Sequence, residues 1–482
     1  MSSKYSAPGV YVESIPSVVS VDESLSTGIG GFFGYAAWGP DTPVLISSWQ
    51  EYIDIFAPFE DSPFVSRAQL AYAVYGFFQN GGKQCYIHRV TGNAGAAASA
   101  TVTYTPTGGS STDLFELESK YIGVAGNSFV FSLTKLSGLV AGGDTYNYAL
   151  KYGTDKIEEY SGSWSGLLNF ITNESKYIEF SADPPASAPA GFPLNGVTAN
   201  FSGGAASYGG QISTEANLKA WKAGESIDRV NYVADVDSSI VTSVLYPVIN
   251  SRKETVIIAY SATATRVIND ANTIAPEKVM VYAPKINVSD PLNNNELRAI
   301  TPVGHVMGVF ARIAQERGIW KAPAGTECIL KGAVSVVSNI DVATYRNVGI
   351  NAIVYKPNYG IVIWGARTQA LNNDMAYVTD VLLDCYIKDA IDSALQPAVF
   401  EPNNSALWIR VKADIESILD TLWRAGGLAG SEANQAYYVK CDEDLNPASV
   451  RDAGELRVEV GYARSRPAEF IIVRVAHVIN RG

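Results

Sequence analysis

Three histidines, His88, His305 and His477, are the only imidazoles that could serve acid–base chemistry or metal binding. None of them has a second ligand or a base at the spacing of a metal site or a catalytic triad. His305 lies at the start of the predicted helix 302–317, where a histidine satisfied inside the core is the simpler interpretation. The histidines therefore predict no catalytic centre.

Two carboxylates could form a cation site, because Asp235 and Asp237 end a predicted strand of parallel type. Open α/β sheets bind ligands at that end of their strands, and carboxylates suit Mg²⁺. Capping of the following helix is the simpler interpretation, since no Gly-rich phosphate loop lies nearby. The Gly-rich residues 203–210 match neither GxGxxG nor GxxxxGK(S/T) and are interpreted as a linker. No cofactor and no metal are predicted.

Sulfur and indole side chains are interpreted as packing groups. The four cysteines are far apart and never form a CxxC pair, which indicates neither a zinc site nor a redox pair, so we expect buried free thiols. The tryptophans are expected to pack rather than to form a carbohydrate platform. The residues concerned are Cys85, Cys328, Cys385, Cys441, Trp38, Trp320, Trp364 and Trp408.

The composition indicates a soluble protein with more than one core. The 482 residues are 47% hydrophobic and 17% charged, and this length predicts about two to four domains. A net charge of −12 opposes a phosphate backbone, so no nucleic-acid partner is expected. No apolar run reaches the roughly 18 to 20 residues that span a bilayer, and no secretory signal is apparent. We expect synthesis in the cytoplasm and no direct membrane insertion.

Strand and helix patterns alternate in two stretches that predict one α/β domain, residues 28–90 with 209–370. Such a domain has parallel strands joined by crossover helices. The predicted strands are 30–40, which ends in a turn, 85–90, 229–235, 254–260 and 278–283, and the predicted helices are 67–80, 239–252, 262–272 and 302–317.

An inserted domain is predicted between the two stretches, over residues 91–208. This region is rich in Gly, Ser, Thr and Ala, and turn signals separate short alternating segments such as 113–118 and 129–133. The pattern predicts a mostly β outer domain that interrupts the α/β core.

Residues 371–482 predict an α+β C-terminal domain. Its second helix carries an apolar stripe formed by Leu407, Val411, Ile415, Ile418, Leu419 and Leu422. The predicted elements are helices 377–395 and 405–424 and strands 456–460 and 469–478.

Short apolar strands are also predicted near both ends of the sequence. Residues 1–27 form a predicted linker arm, in which Pro16 blocks a helix. A strand without a partner exposes N–H and C=O groups that pair readily with another chain. We therefore expect these strands to pair between molecules.

Seven motifs, in order from residue 7 to residue 470, resemble signatures of contractile tail sheath proteins of bacteriophages and phage-tail-like particles. No such motif falls within 91–208. The motifs are Ala7–Glu13, Phe78–Gly82 with Cys85–Val90, Arg317–Gly325, Trp364–Thr368, Phe400–Asn404, Tyr438–Asp442 and Pro467–Phe470.

The resemblance implies a structural subunit without enzyme activity that polymerises around a rigid tail tube, as a helix or as stacked rings. Contraction then drives the tube through a target cell envelope. The implied partners are further copies of the chain, the tail tube protein, and baseplate and tail terminator proteins. The implied location is a virion tail or phage-tail-like particle assembled in the cytoplasm of a bacterial host. An α/β enzyme or ligand-binding protein with a β insertion stays the alternative.

The resemblance also implies which residues make contacts between subunits. In such sheaths an N-terminal arm and a C-terminal strand join a small sheet in neighbouring subunits, which is β-augmentation. The C-terminal region contacts the tube, and the polar face of helix 405–424 offers Arg410, Lys412 and Arg424, although a solvated face is the alternative. The residues assigned to strand exchange are Val10, Tyr11, Val12, Val18, Val19, Val21, Phe470, Ile471, Ile472, Val473 and Val475.

Overall fold

The computed structural model describes residues 27–59, 64, 68–91, 95–106, 109–140, 143–205, 220–222, 225–236, 249–267, 275–291, 294–371 and 374–469. By compactness these residues divide into two units. Residues 27–386 with 466–469 form the first unit, and residues 387–465 form the second. The domain boundaries stated above stay predictions.

The chain begins with an α/β layer. Its elements are β1 (Ile29–Gly34), β2 (Val44–Ile46), α1 (Trp49–Phe56), α2 (Leu70–Gln79) and β3 (Gln84–Arg89). Helix α2 is apolar on nearly all sides, and it is buried along most of its length. Strand β1 is shorter than the predicted 30–40. The carbonyl oxygens of Ala36, Ala37 and Gly39 accept hydrogen bonds from the buried guanidinium of Arg89, so they are not available to a sheet ladder.

The next segment forms two antiparallel sheets with an aromatic core. Its elements are β4 (Ser99–Tyr104), β5 (Thr112–Ser119), β6 (Phe129–Val140), β7 (Gly143–Tyr152), β8 (Asp155–Gly162), α3 (Trp164–Asn169), β9 (Ile178–Phe180) and β10 (Val197–Asn200). One sheet has the order β10-β6-β7-β8 and the other β4-β5-β9. Trp38 and Phe59, which precede this segment, are buried in its core.

The chain then returns to alternating strands and helices. The elements are β11 (Tyr232–Asp235), β12 (Val256–Tyr260), β13 (Val279–Ala283), β14 (Ile286–Asp290), β15 (Glu296–Ile300), α4 (Val303–Arg317), β16 (Ala333–Val336), α5 (Val342–Asn347), β17 (Ile350–Lys356) and β18 (Gly360–Ile363).

An eight-stranded sheet unites the strands before and after the insertion, in the order β18-β17-β13-β12-β11-β1-β3-β2. Its neighbours are parallel except for β17 with β18 and β3 with β2 at the two edges. A further antiparallel sheet has the order β15-β14-β16. The predicted α/β fold class with parallel strands is thereby confirmed.

One predicted helix of this region is wrong as far as the structure describes it. Residues 262–267 form bends rather than the start of helix 262–272. The Ser261 hydroxyl donates to the Thr263 carbonyl oxygen at 2.9 Å, and the Thr263 and Thr265 hydroxyls lie 2.7 Å apart. Such local hydrogen bonds of hydroxyl side chains compete with a helix. Predicted helix 239–252 falls mostly outside the described residues.

Helices α2 and α4 pack closely on one face of the large sheet. The contact depends on Gly304, where a Cβ atom would lie 2.1 Å from the Ala73 carbonyl oxygen. A second close approach occurs where Gly76 faces the ring of His305. The absence of a side chain at these glycines lets the two backbones approach.

The remaining elements are mainly helical. They are α6 (Val378–Leu395), α7 (Ser405–Arg424), α8 (Ala433–Ala436), β19 (Tyr437–Lys440), α9 (Ala448–Asp452) and β20 (Glu459–Tyr462). The boundary between the two units falls within α6. All six residues of the predicted apolar stripe of α7 are buried, which confirms that helix and its orientation.

Strand β20 begins three residues later than the predicted strand 456–460. The Asn446 carboxamide pairs with both backbone groups of Arg457, accepting its N–H at 2.7 Å and donating to its carbonyl oxygen at 2.9 Å. Because Asn446 takes these groups, residues 456–458 do not enter the ladder. β20 pairs with β19 from Glu459 to Tyr462.

Candidate assembly surfaces

The residues assigned to strand exchange all lie outside the described residues. This holds for Val10, Tyr11, Val12, Val18, Val19, Val21, Phe470, Ile471, Ile472, Val473 and Val475. The assignment therefore stays a prediction. The described residues show instead which sheet edges could accept a strand and how the chain is held just before residue 470.

A two-stranded sheet lies in the second unit, and its outer edges are candidate acceptors of further strands. Within the described ranges, β19 and β20 pair only with each other. A two-stranded ribbon is marginal by itself in water, but β19 is supported by contacts with α7 and α8. Edges of this kind can accept further strands by β-augmentation.

The surface of this small sheet is aromatic. Tyr438 is 53% exposed, and its hydroxyl donates to Glu459 Oε1 at 2.7 Å. Its ring covers the partner strand at Gly461, where a Cβ atom would lie 2.1 Å from the ring. Val439 faces the other way and is buried. The sheet thus has one packed face and one face open to another molecule.

The last described residues, 466–469, are fixed on the first unit by ion pairs. Glu469 accepts hydrogen bonds from Arg367 Nε at 3.0 Å, Arg367 Nη2 at 2.8 Å and Arg346 Nη2 at 2.7 Å. Burial alone would raise the pKa of Glu469, but its hydrogen bonds with Arg367 and Arg346 and their charges hold it below its ordinary value. Glu469 was predicted to begin a strand, and the structure corrects this, because residues 466–469 form no strand.

Two of the three predicted tube-contact residues on α7 pair with a carboxylate of the same helix. Lys412 Nζ lies 3.7 Å from Glu416, and Arg424 Nε lies 2.6 Å from Asp420. Arg410 and Arg424 are exposed, and Lys412 is half-buried. At about 100° per residue, Lys412 lies roughly 160° around the helix from Arg410, so the three residues do not converge on one patch. Their contact with a tube stays a prediction.

The two described histidines are separate and buried. His88 Nδ1 accepts a hydrogen bond from Trp221 Nε1 at 2.8 Å, and burial lowers the pKa of His88 to about 4. Burial likewise lowers the pKa of His305 to about 4. Asp235 ends β11 as predicted, whereas Asp237 and His477 fall outside the described residues. No group of three or more His, Cys, Asp or Glu residues within the described ranges could hold a metal ion.

Two expectations about packing residues need correction. Cys85, Cys328 and Cys385 are buried free thiols as expected, but Cys441 is half-buried. Trp38 and Trp408 are buried, whereas Trp364 is 39% exposed. The Lys356 ammonium lies 3.9 Å from the centroid of the Trp364 ring. This indole therefore packs against a lysine in a cation–π contact and not inside a hydrophobic core.

The arginines that hold Glu469 were missed by sequence reasoning, although a signal was present. Arg367 and Glu469 each lie in one of the seven motifs, and their opposite charges allow them to pair. Arg346 lies in no motif. Its pairing depends on the position of α5 beside β17, which only the fold provides.

Across the described residues, no helix is both long enough and apolar enough to cross a membrane.

Comparison with known proteins identifies the fold. Residues 371–477 match the family model of the phage tail sheath C-terminal domain. The contracted helical sheath of the anti-feeding prophage has 22% identity and a TM-score of 0.58, covering 98% of this chain and 99% of that chain. The contracted sheath of PVC, an extracellular contractile injection system, has 22% identity and a TM-score of 0.58, covering 100% of both chains.

A third similar structure is the sheath tail protein of Desulfitobacterium hafniense. It has 12% identity and a TM-score of 0.60, covering 90% of this chain and 94% of that chain. No curated protein sequence matches this chain.

These comparisons show that the chain has the fold of contractile sheath proteins along nearly its whole length. The family match covers residues 371–477, the C-terminal part of the chain. The resemblance to contractile tail sheath proteins is thereby confirmed.

Proposed function

We propose that this chain is a structural subunit of a contractile sheath that polymerises around a tail tube and contracts to drive the tube through a target cell envelope. The observation that carries the proposal is coverage. The fold of nearly the whole chain matches subunits of two contracted sheaths, and the family match covers the C-terminal region. The role is mechanical, and no enzyme activity is part of it.

Assembly in many copies follows from the kind of contact proposed. Residues 5–25 and 470–481 act as ties that pair with a small sheet in neighbouring subunits, and Glu469, expected to begin the second tie, is held on its own subunit. A strand that leaves one surface and enters a different one makes a heterologous contact, which propagates into rings or helices. The β19–β20 sheet supports this proposal, because a sheet of only two strands can be extended by added strands.

The energy of one tie is modest but sufficient for cohesion. Each added backbone hydrogen bond contributes about 0.5–1.5 kcal/mol net, and burial of the valines and isoleucines adds to it. Such a tie keeps neighbouring subunits connected while their other contacts rearrange. The proposed partners are further copies of the chain, a tail tube protein, a baseplate and a tail terminator. The particle is a virion tail or phage-tail-like particle assembled in the cytoplasm of a bacterial host.

Deletion of residues 1–22 tests the proposal. We expect the shortened subunit to fold with the thermal transition of the full chain, because the deleted residues precede β1 and every described core residue. We also expect it to form no ordered tubes in electron micrographs under conditions in which the full chain does. Ordered sheaths from the shortened subunit would refute the N-terminal tie.

A further inference from the structure

Residues 466–469 follow the second unit in sequence and belong to the first, and both of their charged side chains pair with groups of the first unit. Arg466 Nη2 lies 3.4 Å from Asp374 Oδ1, and its Nε lies 3.8 Å from Asp380 Oδ2. Asp380 is almost fully buried, at 1% exposure. Three residues later, Glu469 enters the pair of arginines described above. The segment therefore contributes one cation, Arg466, to a pair of carboxylates and one anion, Glu469, to a pair of arginines.

The receptor for Glu469 is rigid. The Arg367 guanidinium lies over the Tyr377 ring at 5.1 Å. The Arg367 backbone N–H donates to Asn351 Oδ1 at 2.7 Å, and its carbonyl oxygen accepts from Asn351 Nδ2 at 2.7 Å. Asn351 is buried in β17 and bonds to the Val281 carbonyl oxygen of β13 as well. Glu469 is thereby connected to the interior of the eight-stranded sheet.

The ion pairs of Glu469 differ from ordinary surface pairs, which contribute little, whereas Arg466 and Asp374 are 55% and 86% exposed. Both Glu469 oxygens are used, and the carboxylate and Arg367 are only 21% and 18% exposed. Charge-assisted hydrogen bonds with a guanidinium fix direction as well as distance. A carboxylate held in this way defines where the following residues start and in which direction they run.

We propose that Arg466 and Glu469, with Asp374, Asp380, Arg346 and Arg367, form an anchor that fixes the point at which residues 470–482 leave the subunit. This inference rests on the proposed function, in which those residues pair with a neighbouring subunit. The anchor transfers tension on the donated residues to the eight-stranded sheet, so that β20, only four residues long, carries no load. Glu469 and Arg466 are positioning residues for strand donation.

The central variant is Glu469→Gln, which keeps the size of the side chain but removes its charge. We expect the dissociated subunit to stay folded with one cooperative transition, at a somewhat lower temperature than the parent chain, because the folded chain favours ionised Glu469. The subunit concentration needed for tube formation should rise about tenfold, which corresponds to ~1.4 kcal/mol per subunit. Tubes are counted by electron microscopy after sedimentation. The matched control is Glu327→Gln, which breaks an equally short but half-exposed pair with Arg317 in the same unit and should change neither value.

Charge reversal with rescue provides a second arm. Glu469→Lys places a cation against two arginines and should abolish tube formation. Glu469→Arg combined with Arg346→Glu and Arg367→Glu restores opposite charges and should recover assembly at least in part. If the Glu469 variants fail to fold, Arg346→Gln replaces them, because Arg346 is the more exposed of the two arginines.

Deletion of residues 470–482 separates the anchor from the proposed function. If the deletion variant forms no tubes but Glu469→Gln forms them at the parental concentration, the anchor is refuted and strand donation by residues 470–482 is supported. A deletion variant that assembles like the full chain would refute C-terminal strand donation itself. An equal rise in the assembly concentration for Glu469→Gln and Glu327→Gln would show a general charge effect and would also refute the anchor.

Discussion

His88 and His305 are buried residues whose protonation opposes folding. The Nδ1 atom of His88 accepts the Trp221 indole N–H, so this histidine must be neutral, with its proton on Nε2. A proton added to Nδ1 would remove that hydrogen bond and place a charge beside the Phe33 and Trp221 rings. His305 is 2% exposed against Gly76, and its Nδ1 has no partner among the described residues.

We predict that acid weakens the first unit through these histidines. The pKa of each lies near 4 in the folded chain and at its ordinary 6.5 after unfolding, so the unfolded chain binds more protons. The stabilisation by neutral histidine is complete above pH 6.5 and is lost as the pH falls towards 4. Its full size is about 3 kcal/mol per histidine.

Chemical unfolding at several pH values tests this prediction. The His88→Gln variant keeps an oxygen that can accept the Trp221 N–H but has no proton to gain. We expect its free energy of unfolding to fall less steeply than that of the parent between pH 6.5 and 4. Equal slopes for the two proteins would contradict the assignment to His88.

Buried asparagines show what sequence reasoning misses at the residue scale. Asn80, Asn351 and Asn446 each use the carboxamide to pair with both backbone groups of one distant residue, as a peptide group would. Each asparagine is also compatible with a surface turn when only the sequence is known. Nothing in the local pattern distinguishes the two roles, because the partner lies far away in the sequence.

Helix α7 is capped at both ends. The Asn404 side chain accepts the backbone N–H groups of Ala406 and Leu407 at 3.0 and 3.1 Å. At the other end, Gly426 has a φ of 86°, and the N–H of Gly427 donates to the Leu422 carbonyl oxygen. These bonds form a Schellman motif, which favours glycine at the left-handed position.

We predict that Asn404→Ala lowers the free energy of unfolding by about 1 kcal/mol, since two helix N–H groups lose their acceptor. Asn404→Asp is the matched control, because its carboxylate keeps the acceptor and interacts favourably with the helix dipole. Urea unfolding followed by circular dichroism measures both variants. A loss of similar size in Asn404→Asp would show that the cap is not the cause.

Elements with a long, regular pattern were predicted well, and element ends were predicted poorly. The apolar stripe of α7 spans the whole helix, so its position and buried face follow from periodicity alone. The ends of β1 and β20 depend on Arg89 and Asn446, which take backbone groups that a strand would otherwise use. A side chain that competes for the backbone changes a boundary without changing the hydrophobic pattern.

At the scale of the whole molecule, the class of fold followed from alternation and motif order, because parallel strands require crossover helices. The two ends of the large sheet could not be predicted. β2 and β18 are antiparallel edge strands. β18 follows β17 through a short hairpin turn, whereas β2 pairs with β3, which lies about forty residues later in the chain. The predicted tube surface is the feature least determined by the sequence, because basic residues on a helix suit water as well as a partner.

The tube contact is tested by reversing charge at two positions of α7, with Lys412→Glu and Arg424→Glu in one variant. Each substitution also places a carboxylate beside Glu416 or Asp420. We expect the variant subunit to assemble more weakly around tail tubes. Its assembly into sheaths without a tail tube should be unchanged, because the ties between subunits lie elsewhere. The control is Lys156→Glu with Lys176→Glu in the insertion, which changes the net charge equally. Unchanged assembly on tail tubes would refute the contact, and an equal loss with and without tail tubes would assign α7 to contacts between subunits instead.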